Sequence, residues 1–233
     1  VDLLASTVFI ETDKGSGSGV LVNSDALVIT AHHVIDDARS IKIRTSDGRS
    51  FPTVRVAGTD ESNDLAVLQI FGDNLPFVKI GEAGTLVVGD PIYAVGAPKG
   101  LEGTVTKGIL SAKRKSQTGF GLLQIDAAIS PGSSGGGVFN EDGHLVGIAV
   151  FTLRESQNIN FAIPIESAVH LLQKSSEYFN GEQNNDPFYR QDFPPYQPTQ
   201  GERRLPFAND SLAFHPNSNW KILSSKIYIL FTR

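Results

Sequence analysis

A chain of 233 residues, 40% of them hydrophobic, is long enough for one large all-β domain or for two small barrels sharing an interface. Its formal net charge of −5 is spread along the chain, with no basic block of the kind that binds nucleic acid and no acidic tail. Cysteine is absent, which excludes disulfides, thiol nucleophiles and cysteine metal sites, and no apolar run reaches the roughly 20 residues of a membrane span.

No signal-peptide pattern is visible. The chain starts at Val1 and contains no methionine, so Val1 is not read as a translation start, and a removed or omitted leader is compatible with it. A cysteine-free chain works in either redox compartment, so composition leaves localisation open.

In chain order, short runs rich in Val, Ile and Thr alternate with Gly, Asp, Asn and Pro over roughly the first 160 residues, the pattern of an all-β protein. Predicted strands include 19–22, 27–30, 40–45, 65–70, 91–95, 122–125 and 145–151. Turn signals fall at Ser46-Asp47-Gly48, Ala97-Pro98-Lys99-Gly100 and Glu141-Asp142-Gly143. Ile165, Val169 and Leu172 then recur at helical spacing behind Pro164, which predicts a helix over 165–178. From 181 to 219 the composition turns to Asn, Gln, Pro and Asp, with Phe188, Tyr189, Phe193 and Tyr196 interspersed, as in a linker or a disordered tail. The last segment, 221–233, is apolar again, and is either tail or a strand that docks on the domain or on a partner.

The segment richest in chemistry is Gly132-Ser133-Ser134-Gly135-Gly136, between predicted strands. Acyl transfer needs a nucleophilic hydroxyl and backbone N–H groups aimed at a developing oxyanion. This loop can supply both, with the amides of Gly132 and Ser134 as donors around Ser133. A Gly/Ser-rich hairpin loop is the plain alternative. Ser133 could itself be the nucleophile; Ser134 is preferred because glycine stands two residues before it and two after it.

A serine nucleophile needs a base. Of the five histidines, His144 sits in a turn, His170 on the predicted helix and His215 in the tail, while His32 and His33 end an apolar strand. In an extended chain the two would face opposite ways, and His33 is preferred. A metal pair is disfavoured, because no third ligand or acidic cluster lies nearby. The base in turn needs a buried carboxylate. Asp64 adjoins the apolar run 65–70, whereas Asp60 lies in the preceding loop and Asp36 and Asp37 follow the histidines too closely. Taken alone, Asp64 reads equally as a strand-start cap.

These three segments, in the order His, Asp, Ser, resemble the trypsin-like peptidases, and more closely the HtrA (Do-like, DegP-type) branch. The resemblance is carried by Gly17-Ser18-Gly19-Val20, Ile29-Thr30-Ala31-His32-His33-Val34, the stretch 60–70, 88–96, 105–111, Gln124-Ile125-Asp126-Ala127, 130–136, Leu145-Val146-Gly147-Ile148 and Asn160-Phe161-Ala162-Ile163-Pro164. It covers about residues 5 to 175. It implies two perpendicular six-stranded β-barrels, roughly 1–82 and 83–164, followed by the helix, within a peptidase domain of 1–180. His33 and Asp64 would come from the first barrel and Ser134 from the second. The oxyanion hole would be backbone of Gly132, Ser133 and Ser134. The substrate pocket would be Ala128, Ile129, Ala149, Val150 and Ile159.

The family usually has Asn where Ser133 stands and Pro where Gly137 stands, and the segment between Ile10 and Gly15 is short. Residues 181–233 are too few for the PDZ domain that HtrA relatives carry, which puts peptide-activated regulation through such a domain in doubt. No aspartate lies at the pocket base, so cleavage after small or medium aliphatic residues is expected, not after Lys or Arg. The resemblance implies polypeptide substrates, an extracytoplasmic (periplasmic) setting and, as in relatives, a homo-oligomer such as a trimer. No metal or cofactor is required. Activity is expected to fall below about pH 6.5, the reference value for histidine. The competing readings are a catalytically latent peptide-binding module on the same fold, a protein whose function lies in its C-terminal tail, and an esterase using the same residues.

Overall fold

The computed structural model describes residues 2–97, 103–116, 119, 121–152, 158–182, 220–223 and 228–231. The runs of β-branched and apolar residues become strands β1 (Thr7–Thr12), β2 (Ser16–Leu21) and β3 (Leu27–Ala31), followed by one helical turn, α1 (His32–Ile35). Strands β4 (Ile41–Thr45), β5 (Ser50–Phe51), β6 (Arg55–Asp60) and β7 (Leu65–Gln69) complete the first unit. The second comprises β8 (Pro91–Gly96), β9 (Thr104–Lys115), β10 (Gly121–Ile125), β11 (Gly137–Phe139), β12 (Leu145–Thr152) and β13 (Asn160–Pro164). Helix α2 (Glu166–Glu182) follows, then a hairpin of β14 (Trp220–Leu223) and β15 (Tyr228–Phe231).

The second unit is a closed six-stranded barrel in the order β10-β13-β12-β11-β8-β9. The first is an open sheet of seven strands, β5-β4-β1-β2-β3-β7-β6, curled into a half-barrel. The all-β class with a C-terminal helix is as expected. The first unit departs from the six-strand expectation in two details: the two-residue strand β5 adds an edge to β4, and β5 and β6 are both outermost, so the sheet does not close.

Strand β3 explains the rigidity behind the site. All five of its residues are buried, and it is paired on both sides, Ile29 with Val20 and with Val67. Each such aliphatic side chain removed from water contributes about 1.5–3 kcal/mol. One hydrophobic cluster runs from Val8, Ile29 and Leu65 of the first sheet through Phe139, Ile148 and Ile163 of the barrel to Leu171 and Leu172 of α2. The two units therefore share a core, and α2 returns to pack on β6 and β7. A second cluster, with Ile92, Leu110, Leu123 and Val138, belongs to the barrel alone.

Helix α2 starts where the Pro164 signal put it and continues to Glu182, four residues beyond the predicted end at 178. Of the predicted tail over 181–219, Gly181 and Glu182 belong to α2 instead, and 183–219 lie outside the described residues. The apolar end is a hairpin in which Trp220 pairs with Phe231 and Leu223 with Tyr228. No helix among the described residues is long and apolar enough to cross a membrane.

Candidate active site

The histidine pair does not lie in a strand. After Ala31 the chain turns into α1, so the alternation of an extended chain does not decide which ring faces the cleft. A helix this short leaves its first N–H groups without intrahelical acceptors, and Ala31 offers no side-chain cap. Asp64 supplies both: its carbonyl accepts from His32 N at 3.1 Å and its Oδ1 from His33 N at 2.9 Å. The other carboxylate oxygen, Oδ2, lies 2.7 Å from His33 Nδ1. An ionised carboxylate can only accept, so the proton sits on Nδ1 and the Nε2 lone pair is left free. The Asp64 side chain is 8% exposed against 45% for that of His33, a buried anchor under an accessible ring.

Asp64 has φ 51°, in the left-handed region that aspartate enters more readily than most residues. That conformation lets its carbonyl and its carboxylate address the same turn. Asp60, by contrast, accepts from the backbone and side-chain amides of Asn63. Asp36 and Asp37 are exposed, as is His170, and His144 lies in the turn after β11. His215 lies outside the described residues.

The serine loop consists of two consecutive turns that share Ser133. Ser133 N donates to Ser130 O at 2.9 Å, with Pro131 second and Gly132, φ 96°, third. Gly136 N donates to Ser133 O at 2.9 Å, with Ser134 second and Gly135, φ 84°, third. A positive φ at the third position is that of a type II turn, which glycine enters without penalty. Gly135 N is spent on Ala149 O at 2.7 Å. Among the described residues, the amides of Gly132 and Ser134 donate to no protein acceptor. The amide of Ser133, also expected to face the oxyanion, is taken by its turn.

The loop is seated on the first sheet. Ser134 O accepts from Ser18 N at 2.8 Å, and Gly132 O accepts from Ser18 Oγ at 2.7 Å. A Cβ at Gly135 would collide with Ser18 O and Thr30 Oγ1, and would come within 3.0 Å of Ala31 N, just before the histidines. A Cβ at Gly17 would collide with the Val34 methyls of α1 and come within 3.0 Å of Ser134 O. The hydroxyl of Ser134 donates to Val150 O at 3.1 Å, not to His33. The structure thus joins His33, after β3, to Asp64, before β7, and sets the Ser134 loop against β2 and β3, with the Ser134 hydroxyl on a different acceptor.

A cavity of about 100 Å³ opens beside the loop, lined by Ala128, Ile129, Ser130, Ser133 and Ala149 together with Ala94, Val95, Gly96, Thr104 and Thr106. Three of the expected pocket residues line it. Val150 is buried in the shared core, and Ile159 packs against that core. The threonines of β9 and the small residues at the end of β8 are not among the expected pocket residues. Thr106 is held there by its hydroxyl's bond to Ala128 O at 2.8 Å. No group of three or more acidic or histidine side chains able to hold a metal occurs among the described residues.

Residues 17–148 match the family model described as a trypsin-like peptidase domain. A probable periplasmic serine endoprotease, DegP-like, of Pseudomonas putida (strain GB-1) is 43% identical over 174 residues, 71% of this chain and 36% of that protein. A putative serine protease HhoB of Synechocystis is 38% identical over 168 residues, 69% of this chain and 40% of its own. The chain thus spans well under half of the curated relatives it matches. Among solved structures, the HtrA-type protease AlgW with a tripeptide superposes with a TM-score of 0.69 at 35% identity, covering 76% of this chain and 62% of that one. The family model spans more than half of the chain, and the protein belongs to the trypsin-like peptidase family, with relatives and structural neighbours of the HtrA type.

Proposed function

We propose that the chain is a serine endopeptidase that cuts unfolded polypeptides by acyl transfer, with Ser134 as nucleophile, His33 as base and then acid, and Asp64 as the residue that orients the ring. The observation that supports this most is the double contact of Asp64 with the ring and the backbone of His33.

In this mechanism the Ser134 hydroxyl exchanges Val150 O for His33 Nε2. As its Oγ bonds to the scissile carbonyl carbon, the proton passes to Nε2, and the imidazolium is stabilised by Asp64. The carbonyl oxygen, now an oxyanion, accepts from the amides of Gly132 and Ser134. Donors of this kind contribute roughly 3–4 kcal/mol each. Collapse breaks the C–N bond, with the proton delivered from His33 to the leaving nitrogen. A water then gives its proton to His33 as its oxygen bonds to the acyl carbon; the ester C–Oγ bond breaks, Ser134 Oγ takes the proton back from His33, and the carboxylic acid product leaves. Side chains, backbone amides and water complete the balance.

The cavity walls of Ala128, Ile129 and Ala149 favour a small or medium aliphatic residue before the scissile bond. The periplasmic names of relatives support an extracytoplasmic setting. A latent peptide-gripping module is the second reading, favoured by the resting bond of Ser134 to Val150. A fluorophosphonate probe with peptide mapping separates the two. The proposal expects label on Ser134 of the parent and none on the His33→Ala variant. An unlabelled parent that still binds unfolded peptide would favour the second reading.

A further inference from the structure

Ser18 is a polar residue with no solvent exposure, in the middle of a paired strand whose residues from Gly17 to Leu21 are all buried. Its four hydrogen bonds reach three parts of the molecule. Its N–H donates to Ser134 O at 2.8 Å, and its carbonyl accepts from Thr30 Oγ1 at 2.7 Å. Its hydroxyl donates to Gly132 O at 2.7 Å and accepts from Ala97 N, just past the end of β8, at 2.8 Å.

Peptide groups are planar, so fixing both ends of one fixes its orientation. The peptide joining Gly132 to Ser133 is held at its carbonyl by Ser18 Oγ and at its N–H by Ser130 O. The peptide joining Ser134 to Gly135 is held at its carbonyl by Ser18 N and at its N–H by Ala149 O. The unpaired Ser134 N–H lies between these two fixed peptides, and the unpaired Gly132 N–H lies immediately before the first.

We infer that Ser18 is the positioning residue of the oxyanion site: its hydroxyl, anchored on β2 and tied to Ala97, fixes the direction of the Gly132 and Ser134 amides before substrate arrives. Ser18 touches no substrate in this account, and the inference rests on the proposed role of those two amides. Electrostatic stabilisation is effective only where donors need no reorganisation at the moment of reaction. Glycine at 132 has the backbone freedom to turn its amide away, so an outside tether on its carbonyl has something to restrain.

The test compares the parent with Ser18→Ala, which removes only the hydroxyl bonds. Ser18→Cys, close to serine in shape and a weaker donor, serves as a second variant should the first fold poorly. Thermal melts establish that each is folded. Three quantities are read: kcat and KM on a peptide taken from a mapped casein cleavage site; affinity for that peptide as a boronic acid, whose tetrahedral adduct places an oxygen at the oxyanion position; and affinity for the same peptide as an amide. In Ser18→Ala, kcat should fall by about 10-fold to 10³-fold, the upper end being the loss of a whole donor. Boronate affinity should fall in parallel, with KM and amide affinity within about threefold of the parent. Ser18→Cys should fall between. A folded variant with a lowered melting temperature but unchanged kcat and unchanged boronate-to-amide preference overturns the inference and leaves Ser18 a structural residue. A parent that neither cuts casein nor takes up a fluorophosphonate overturns the functional reading itself, and the inference with it.

Discussion

Asp64 holds His33 at two points, by Oδ2 on the ring Nδ1 at 2.7 Å and by Oδ1 on the backbone N–H at 2.9 Å. One buried carboxylate thereby sets the tautomer of the ring and caps the turn that carries it.

Asp64→Asn should separate these two roles. The asparagine can still accept from His33 N and tolerates the positive φ, so the fold should persist, while the tautomer at His33 is no longer enforced. The expected loss in kcat is about 10⁴-fold, as for the equivalent change in the Ser-His-Asp template, with little change in melting temperature. Asp64→Ala should lose about 1–3 kcal/mol of stability as well, because His33 N loses its acceptor and alanine is strained at φ 51°. Steady-state kinetics beside denaturant unfolding would check both.

Gly135→Ala should be among the most damaging substitutions in the chain. The new methyl meets Ser18 O and Thr30 Oγ1 at a φ of 84° that suits glycine alone. Left-handed strain and overpacking together should cost roughly 2–5 kcal/mol. Activity should be lost by unfolding or by displacement of Ser134, and the melting curve should show which.

The cavity wall at Ala149 should control selectivity. Ala149→Val fills part of a space of about 100 Å³. It should lower kcat/KM for a leucyl substrate relative to an alanyl one by about 10–200-fold, the range for a methylene's worth of pocket. An unchanged ratio would move the pocket elsewhere.

Two exposed carboxylates bear on acid stability. Asp13 is held below its ordinary value chiefly by the Arg39 amide, and Asp47 chiefly by the Thr45 hydroxyl and the Arg49 amide. A carboxylate depressed by folding stabilises the native state above its unfolded value, and that contribution is lost as the pH falls through its folded value. Asp13→Asn and Asp47→Asn should each flatten the decline of the melting temperature on the acid side of the carboxylate range, with solvent screening keeping each effect small. An unaltered acid limb in both variants would contradict the assignment.

The sequence made the candidate residues legible because His33, Asp64 and Ser134 sit in local motifs whose flanks read as strands. Their joining is legible only through the family resemblance, not from local pattern. The α1 turn has no cap of its own, and its cap comes from Asp64, thirty-one residues on from His33, a contact that no local periodicity records. Strand β9 is exposed or half-buried along most of its twelve residues, so it lacks the apolar density that marks β3 or β7. The two-residue β5 is shorter than any pattern can resolve. Gly17-Ser18-Gly19 was visible as text, yet the hydroxyl's partners at Gly132 and Ala97 lie more than seventy residues away. A serine between two glycines, leading into the apolar Val20-Leu21, is the signal available.

The most direct test of the central claim is to incubate the protein and its Ser134→Ala variant with unfolded casein and to sequence the product ends by mass spectrometry. The account predicts fragments from the parent alone, ending mostly in Val, Ala or Leu. Equal cleavage by the variant, or none by the parent, would contradict it.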